Sequence, residues 1–344
     1  MSVPLKLMIV DDSRMIRKAI SRIFDNIDNV EVVGEAGNGA HALDMLPKLN
    51  PDVVTLDVNM PVMDGLTALK HIMIKSPTPV VMISTLTKEG SAVTFDALKY
   101  GALDFVHKPS RTQKVSIREQ EENIVKKVRL ASRVEIENIR ILRTPTGAKR
   151  DAPKNIECTK IFVMGAAEGG YGSLLKIIPL LSPNIPAAYF VLLYSDTPQV
   201  DAFARYLSAN SSISVKRAVK GDYVKGGVCY LISGSEYIRL EPAGRGYTLQ
   251  VEESPFSERR LALNVLMFSV AKMMKNHSAG IILSGSGNDG AEGVRMIARA
   301  GGAVAVQTPK NCLCQEMPRA AMANYPVEHI VSDANMAKFI SSCF

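Results

Sequence analysis

The sequence predicts an α/β protein of two domains, each a parallel sheet with helices on both faces. Three observations carry that reading. Short apolar runs alternate with amphipathic segments along most of the chain. Glycine, proline and acidic residues punctuate the ends of those runs. A length of 344 residues corresponds to about two domains of ordinary size.

The elements follow in order. Residues 7–10 form a buried-strand run, and residues 13–24 carry Met15, Ile16, Ala19, Ile20 and Ile23 at helical spacing. Strands at 30–33, 53–56, 79–83 and 105–106 complete a first sheet, with helices at 39–49, 66–75 and 92–100 between them. This first domain spans residues 1–110. Residues 111–157 are different, with twelve Lys/Arg against seven Asp/Glu. Ile117, Ile124, Val128, Ala131 and Ile139 share one helical face, so 117–142 reads as a surface helix and 144–153 as a linker. From residue 158 the alternation resumes. Strands are expected at 161–164, 188–193, 228–232, 280–283 and 303–306. Helices are expected at 174–181, 200–207, 261–274, 291–300 and 315–323.

Composition narrows the class further. With 47% hydrophobic and 22% charged residues the chain is neither disordered nor fibrous. Five Cys without regular spacing beyond Cys312 and Cys314 do not form a disulfide framework, which points to a reducing, cytoplasmic setting. No apolar run reaches the roughly 20 residues of a membrane helix, so no membrane insertion is expected. Asp11 and Asp12 end the N-terminal apolar stretch too early for a signal peptide. The net charge of +7 gathers mostly in the linker region without aromatic interleaving, so no nucleic-acid partner is expected. Five His and no Trp leave few candidates for a hydrolase general base.

Chemistry is expected first at the carboxyl ends of the N-terminal strands. Asp11 and Asp12 follow the first strand and Asp57 the third, and in a sheet with the first strand central those ends adjoin. Three converging carboxylates repel one another and call for a hard cation with oxygen ligands, which fits Mg²⁺. Ser84 ends the fourth strand and Lys108 the fifth, adding a hydroxyl and an ammonium to the same rim. A carboxylate among these groups is equipped to accept a phosphoryl group.

These residues, within Asp11-Asp12-Ser13, Leu56-Asp57-Val-Asn-Met-Pro-Val-Met-Asp-Gly65, Ile83-Ser84 and Phe105-Val-His-Lys108-Pro109, resemble the receiver domain of two-component response regulators. The resemblance implies a five-stranded, flavodoxin-like domain with Asp57 as phosphoacceptor and a cognate histidine kinase as phosphodonor. It also implies Mg²⁺ held by Asp12, Asp57 and the backbone of Asn59, with Asp11 assisting. Ser84 and Lys108 would contact the phosphoryl group, a cis Lys108–Pro109 bond would follow, and Phe105 would be an aromatic switch.

In the second half, Gly165-Ala-Ala-Glu-Gly-Gly170 joins a strand to a helix with the spacing of a nucleophile loop, but Ala167 stands where a Ser would. Ser284-Gly-Ser-Gly-Asn-Asp289-Gly-Ala291 puts Asp289 in a second glycine-rich loop, where it either orients a His or caps the following helix. Together with the receiver and Lys127-Val-Arg-Leu-Ala-Ser-Arg133, these loops resemble the chemotaxis protein-glutamate methylesterase family, receiver-regulated serine hydrolases acting on chemoreceptor glutamyl positions. That resemblance implies a doubly wound, mostly parallel α/β domain over 158–344, with the chemoreceptor cytoplasmic region as a partner.

Its Ser-His-Asp triad is degenerate here. Ala167 and Glu168 replace a Ser-Thr pair, the run Leu193-Tyr194-Ser195-Asp196-Thr197-Pro198 places Tyr194 or a neighbour at the histidine position, and Ser286 replaces a Met. Only Asp289 remains. The expectation is a phosphorylation-controlled homologue that has lost hydrolysis and acts by binding or as a phosphate sink. The alternative is an active methylesterase and glutamine deamidase with a rearranged site, drawing on Ser173, Ser195, Ser284 or Ser286.

Overall fold

The computed structural model describes residues 3–84, 88–110, 116–134, 156–253 and 261–344. The expected linker at 144–153, and 135–142 of the expected helix, lie outside the described residues. Backbone contacts divide the chain into two units, Met1–Arg143 and Thr144–Phe344.

In the first unit, β1 (Leu5–Val10), β2 (Val30–Ala36), β3 (Val53–Asp57), β4 (Val80–Ser84) and β5 (Asp104–His107) alternate with α1 (Arg14–Asp25), α2 (Gly39–Leu49), α3 (Gly65–Lys75) and α4 (Lys88–Lys99). α5 (Ile117–Ala131) follows. The sheet is entirely parallel in the order β2-β1-β3-β4-β5, so the carboxyl ends of β1 and β3 are neighbours. Sequence chemistry sets the helix starts. Ser13, Asn38 and Asp64 each accept a backbone N–H from the first turn, and Ser116 with Glu119 forms a capping box. Ile20, Phe24, Ile124 and Val128 pack over the fully buried strand residues Leu7, Ile9, Val81 and Ile83.

Two expectations fail here. The helix expected to run past residue 134 ends at Ala131, where the Ser132 hydroxyl turns back to the Arg129 carbonyl. The Lys108–Pro109 bond is trans, the geometry an X–Pro amide favours by about 0.5–1 kcal/mol without further constraint.

The second unit opens with β6 (Ile156–Glu157) and continues through β7 (Lys160–Ala166), α6 (Gly170–Ile177), β8 (Ala187–Leu193), α7 (Thr197–Asn210) and β9 (Ser214–Arg217). Next come β10 (Lys225–Gly226), β11 (Val228–Ser233), and a hairpin of β12 (Glu236–Ala243) and β13 (Gly246–Glu253). The chain ends with α8 (Ala262–Met274), β14 (Ser278–Ile282), α9 (Ala291–Arg299), β15 (Ala303–Gln307), α10 (Glu316–Asn324), β16 (His329–Val331) and α11 (Asp333–Ser342). Seven parallel strands form one sheet in the order β16-β15-β14-β7-β8-β11-β9.

From β7 the chain winds outward through β8, and from β14 it winds the other way through β15. The β7/β14 junction is therefore the topological switch point, and the crevice outside their carboxyl ends is where an open α/β sheet places its ligands. Both glycine-rich loops singled out by the sequence leave the sheet there.

Candidate functional site

The acidic rim of the first unit is assembled by the β1/β3 pairing. Asp11 is fully buried, Asp57 nearly so, and Asp12 faces outward. Their carboxylate oxygens lie within 4.8 Å of one another. Arg17 braces the loop after β1, donating to the Asp11 carbonyl at 2.8 Å and pairing with Glu35 at 3.1 Å. Behind Asp57, Gly65 approaches so closely that a Cβ there would fall 1.9 Å from the Asp57 carbonyl oxygen.

Lys108 Nζ bridges the two buried acids, 2.8 Å from Asp11 and 2.9 Å from Asp57. Burial raises the Asp57 carboxyl above its ordinary range; the Lys108 bond opposes this and the Asp11 charge adds to it. Burial alone would lower the Lys108 ammonium, but its bonds to Asp11 and Asp57 outweigh that and hold it above the ordinary lysine value. Ser84 is buried at the end of β4, and Asn59 is exposed two residues beyond Asp57. Phe105 is buried against Phe95, with ring centroids 5.8 Å apart, and Lys127 Nζ lies 5.3 Å from its own centroid. These residues gather at one sheet edge, apart from Phe105 beneath it. Three oxygen-donor carboxylates, one destabilised by burial and a like charge, suit a hard divalent cation such as Mg²⁺.

In the second unit the crevice residues also meet, with different bonds from those a triad needs. Ala167 donates its N–H to the Ser284 carbonyl at 2.9 Å, locking the loop after β7 to the loop after β14. Tyr194, at the end of β8, donates its hydroxyl to Oδ2 of Asp289. Asp289 accepts the Leu263 and Asn264 N–H groups at 3.0 Å each. Of the two roles the sequence left open it therefore takes capping, but of α8 rather than of the helix that follows it. Asn264 reciprocates, its Oδ1 accepting the Gly290 and Gly293 N–H groups at the start of α9. Burial, then the Asp289 charge, pushes the Tyr194 hydroxyl far above the ordinary tyrosine range, so it is a donor and no base.

The histidines lie elsewhere. His277 immediately precedes β14 at the opposite end of the sheet, and His329 opens β16 and packs on Phe339. Among the candidate serines, Ser173 bonds Gln307 at 3.1 Å and Ser284 bonds the Glu168 carbonyl at 2.6 Å. Sequence reasoning missed Glu168 as a crevice residue: its carboxylate takes both the N–H and the hydroxyl of Ser286, at 2.9 and 3.1 Å. The sequence signals were a charged residue inside a glycine-rich turn and its place in the altered Ser-Thr pair.

Comparison with known proteins agrees with both halves. The response regulator receiver domain family matches residues 7–118, and the CheB methylesterase family matches residues 162–340. A Pyrococcus abyssi protein-glutamate methylesterase/protein-glutamine glutaminase is 35% identical over 95% of this chain and 90% of its own length. Its Lawsonia intracellularis counterpart is 32% identical over 98% of each chain. The Thermotoga maritima CheB methylesterase catalytic domain is 25% identical with a TM-score of 0.52, covering 54% of this chain and 98% of that one. Among the described residues no helix is long and apolar enough to cross a membrane. A receiver domain implies a phosphodonor kinase, and the chain belongs to the chemotaxis CheB methylesterase family, with an N-terminal response regulator receiver domain.

Proposed function

We propose that this chain is a response regulator of chemosensory signalling, phosphorylated on Asp57, whose second domain no longer hydrolyses receptor glutamyl esters. Asp57 would attack the phosphoryl group of a phosphohistidine on the kinase, and the imidazole would leave as the P–N bond breaks. Asp12, Asp57 and the Asn59 backbone would hold Mg²⁺, with Asp11 assisting; when bound, the ion neutralises phosphoryl oxygens. Lys108, already between Asp11 and Asp57, would turn to the new phosphoryl charge, and Ser84 would bond it. Phe105 would report the change as the aromatic switch.

The observation that carries the loss of hydrolysis is the Tyr194–Asp289 bond beside Ala167. The acid that should orient a histidine caps a helix and holds a phenol, and the nucleophile position is a methyl group. The domain would then act in the cytoplasm by binding chemoreceptors, or the chain would serve as a phosphate sink. Methylated receptor incubated with the protein and acetyl phosphate should release no methanol. Release above that of an Asp289→Ala control overturns this reading.

A second reading is an active methylesterase and glutamine deamidase with a rearranged site. The comparisons favour it, since relatives about one-third identical over nearly the whole chain carry that activity in their names. A serine-directed fluorophosphonate decides between them: labelling of a single serine in the second domain supports the active enzyme.

A further inference from the structure

The acidic rim of the first unit depends on how the loop after β1 is held. Asp11 and Asp12 are consecutive, one buried and one exposed, yet both carboxylates converge with that of Asp57. The Asp11 side chain is engaged from two sides, accepting the Ser13 N–H at 2.9 Å and lying 2.8 Å from Lys108 Nζ. The backbone is engaged as well. The Asp11 N–H reaches the Ala36 carbonyl at 3.1 Å. Nη1 of Arg17 donates to both acids' carbonyls, at 2.8 Å to Asp11 and 3.2 Å to Asp12.

Those two carbonyls belong to the peptide planes on either side of the Asp12 Cα. Fixing both planes fixes the direction in which Asp12 presents its carboxylate. Arg17 reaches them from α1, while its Nε pairs at 3.1 Å with Glu35 in β2. One rigid guanidinium thus ties β2 to two consecutive carbonyls. That takes two nitrogens at a fixed angle, which the single nitrogen of a lysine does not supply. The Glu35 carboxylate also offsets the positive charge that Arg17 brings close to a cation site.

We propose that Arg17, held by Glu35, is a positioning residue that sets the Mg²⁺ affinity of the phosphoacceptor site by fixing the backbone on both sides of Asp12. The inference rests on the reading that Asp12 and Asp57 hold Mg²⁺, and it places the control of affinity one step outside the carboxylates. Two other roles for Arg17 predict different outcomes. A guanidinium acting through charge alone repels the ion, so its removal would tighten binding. A guanidinium acting only as an anchor of α1 would change thermal stability and leave Mg²⁺ affinity as it was.

Amide NMR shifts at residues 11–13 and 57–59 follow magnesium chloride titrations of the full-length protein and of Arg17→Ala, Arg17→Lys and Glu35→Gln. Arg17→Ala should bind Mg²⁺ about tenfold more weakly, the cost expected for losing a group that orients metal ligands. Arg17→Lys keeps the charge without the fork and should remain weaker than the parent. Glu35→Gln should shift affinity in the same direction by less, and it carries the test if Arg17→Ala does not fold. At saturating Mg²⁺, labelling of Arg17→Ala by acetyl phosphate should return to near the parental rate, since Asp57 is untouched. Folded variants with parental or tighter Mg²⁺ affinity overturn the proposal, and so does labelling that stays slow at saturating Mg²⁺. A parent that shows no Mg²⁺ shifts sinks the metal reading itself, whereas variants that match a Mg²⁺-binding parent sink this inference alone.

Discussion

Tyr194 and Asp289, 95 residues apart in sequence, are joined hydroxyl to carboxylate across the switch-point crevice. The same carboxylate accepts two backbone N–H groups at the start of α8, so it is a structural hub before it is anything else. The residue at the N-cap of helix α8, Leu261, has a positive φ of 69° and makes no side-chain cap. Asp289 supplies what the local sequence lacks.

Tyr194→Phe and Asp289→Ala should therefore differ in cost. Losing the hydroxyl removes one bond to a charged group, about 1.5–3 kcal/mol. Losing the carboxylate removes that bond and two helix-start acceptors, about 2–4 kcal/mol. Calorimetry of the second domain measures both, and an Asp289→Ala cost no larger than that of Tyr194→Phe contradicts the hub.

Alkaline pH offers a further check on Tyr194. Burial and the Asp289 charge place its folded value above the unfolded value of 10.0. Its contribution is then complete below pH 10 and declines as pH rises, since the unfolded chain releases that proton first. The slope is about 1.4 kcal/mol per pH unit for each such group. Tyr230, pushed up by burial to about 12, adds its own share. Stability of Tyr194→Phe should consequently fall less steeply above pH 10 than that of the parent, and equal slopes would count against the assignment.

The acidic rim was legible because parallel strands end where their chemistry begins. Asp11, Asp57, Ser84 and Lys108 each sit at a strand end, so ordering five apolar runs was enough to bring them together. Helix α2 was legible to the residue, because Asn38 caps it and Asn50, at a φ of 45°, ends it. The hairpin of β12 and β13 was not. Ile238 and Leu240 do alternate with Arg239 and Glu241, and Tyr247, Leu249 and Val251 with Thr248, Gln250 and Glu252, but Pro242 argues against a strand except at an edge. The roles of Asp289 and Glu168 escaped for another reason. Asp289 serves a helix 26 residues earlier in the chain, and Glu168 meets a loop 118 residues later, distances that no local pattern encodes.

Restoring the nucleophile alone should restore nothing. Ala167→Ser would place a hydroxyl near Gly285, with Asp289 still engaged by Tyr194 and no histidine at the crevice. In a Ser-His-Asp hydrolase, absence of the histidine alone costs on the order of 10⁶ in turnover. The variant should neither release methanol from methylated receptor nor react with a fluorophosphonate at residue 167. Labelling there would mean that a base exists in the crevice after all.

The loop that carries Asp57 to α3 holds a contrast between two backbone positions. Val62 is 86% exposed and adopts a φ of 67°, with the Met63 N–H turned back to the Pro61 carbonyl at 2.7 Å. A β-branched residue there stores about 1–3 kcal/mol, while glycine's extra chain entropy costs about 0.5–1 kcal/mol, so Val62→Gly should stabilise the receiver by about 1 kcal/mol. Gly65 is the opposite case. A methyl at 65 meets the Asp57 carbonyl at 1.9 Å, too close to be absorbed without moving the strand end. Gly65→Ala should destabilise the domain by about 1–3 kcal/mol and slow labelling of Asp57 by acetyl phosphate, whereas Val62→Gly should leave labelling intact. Thermal unfolding of the isolated transition and phosphoryl incorporation read the two effects separately. A Gly65→Ala protein that labels at the parental rate would show that Asp57 does not depend on this close approach for its position.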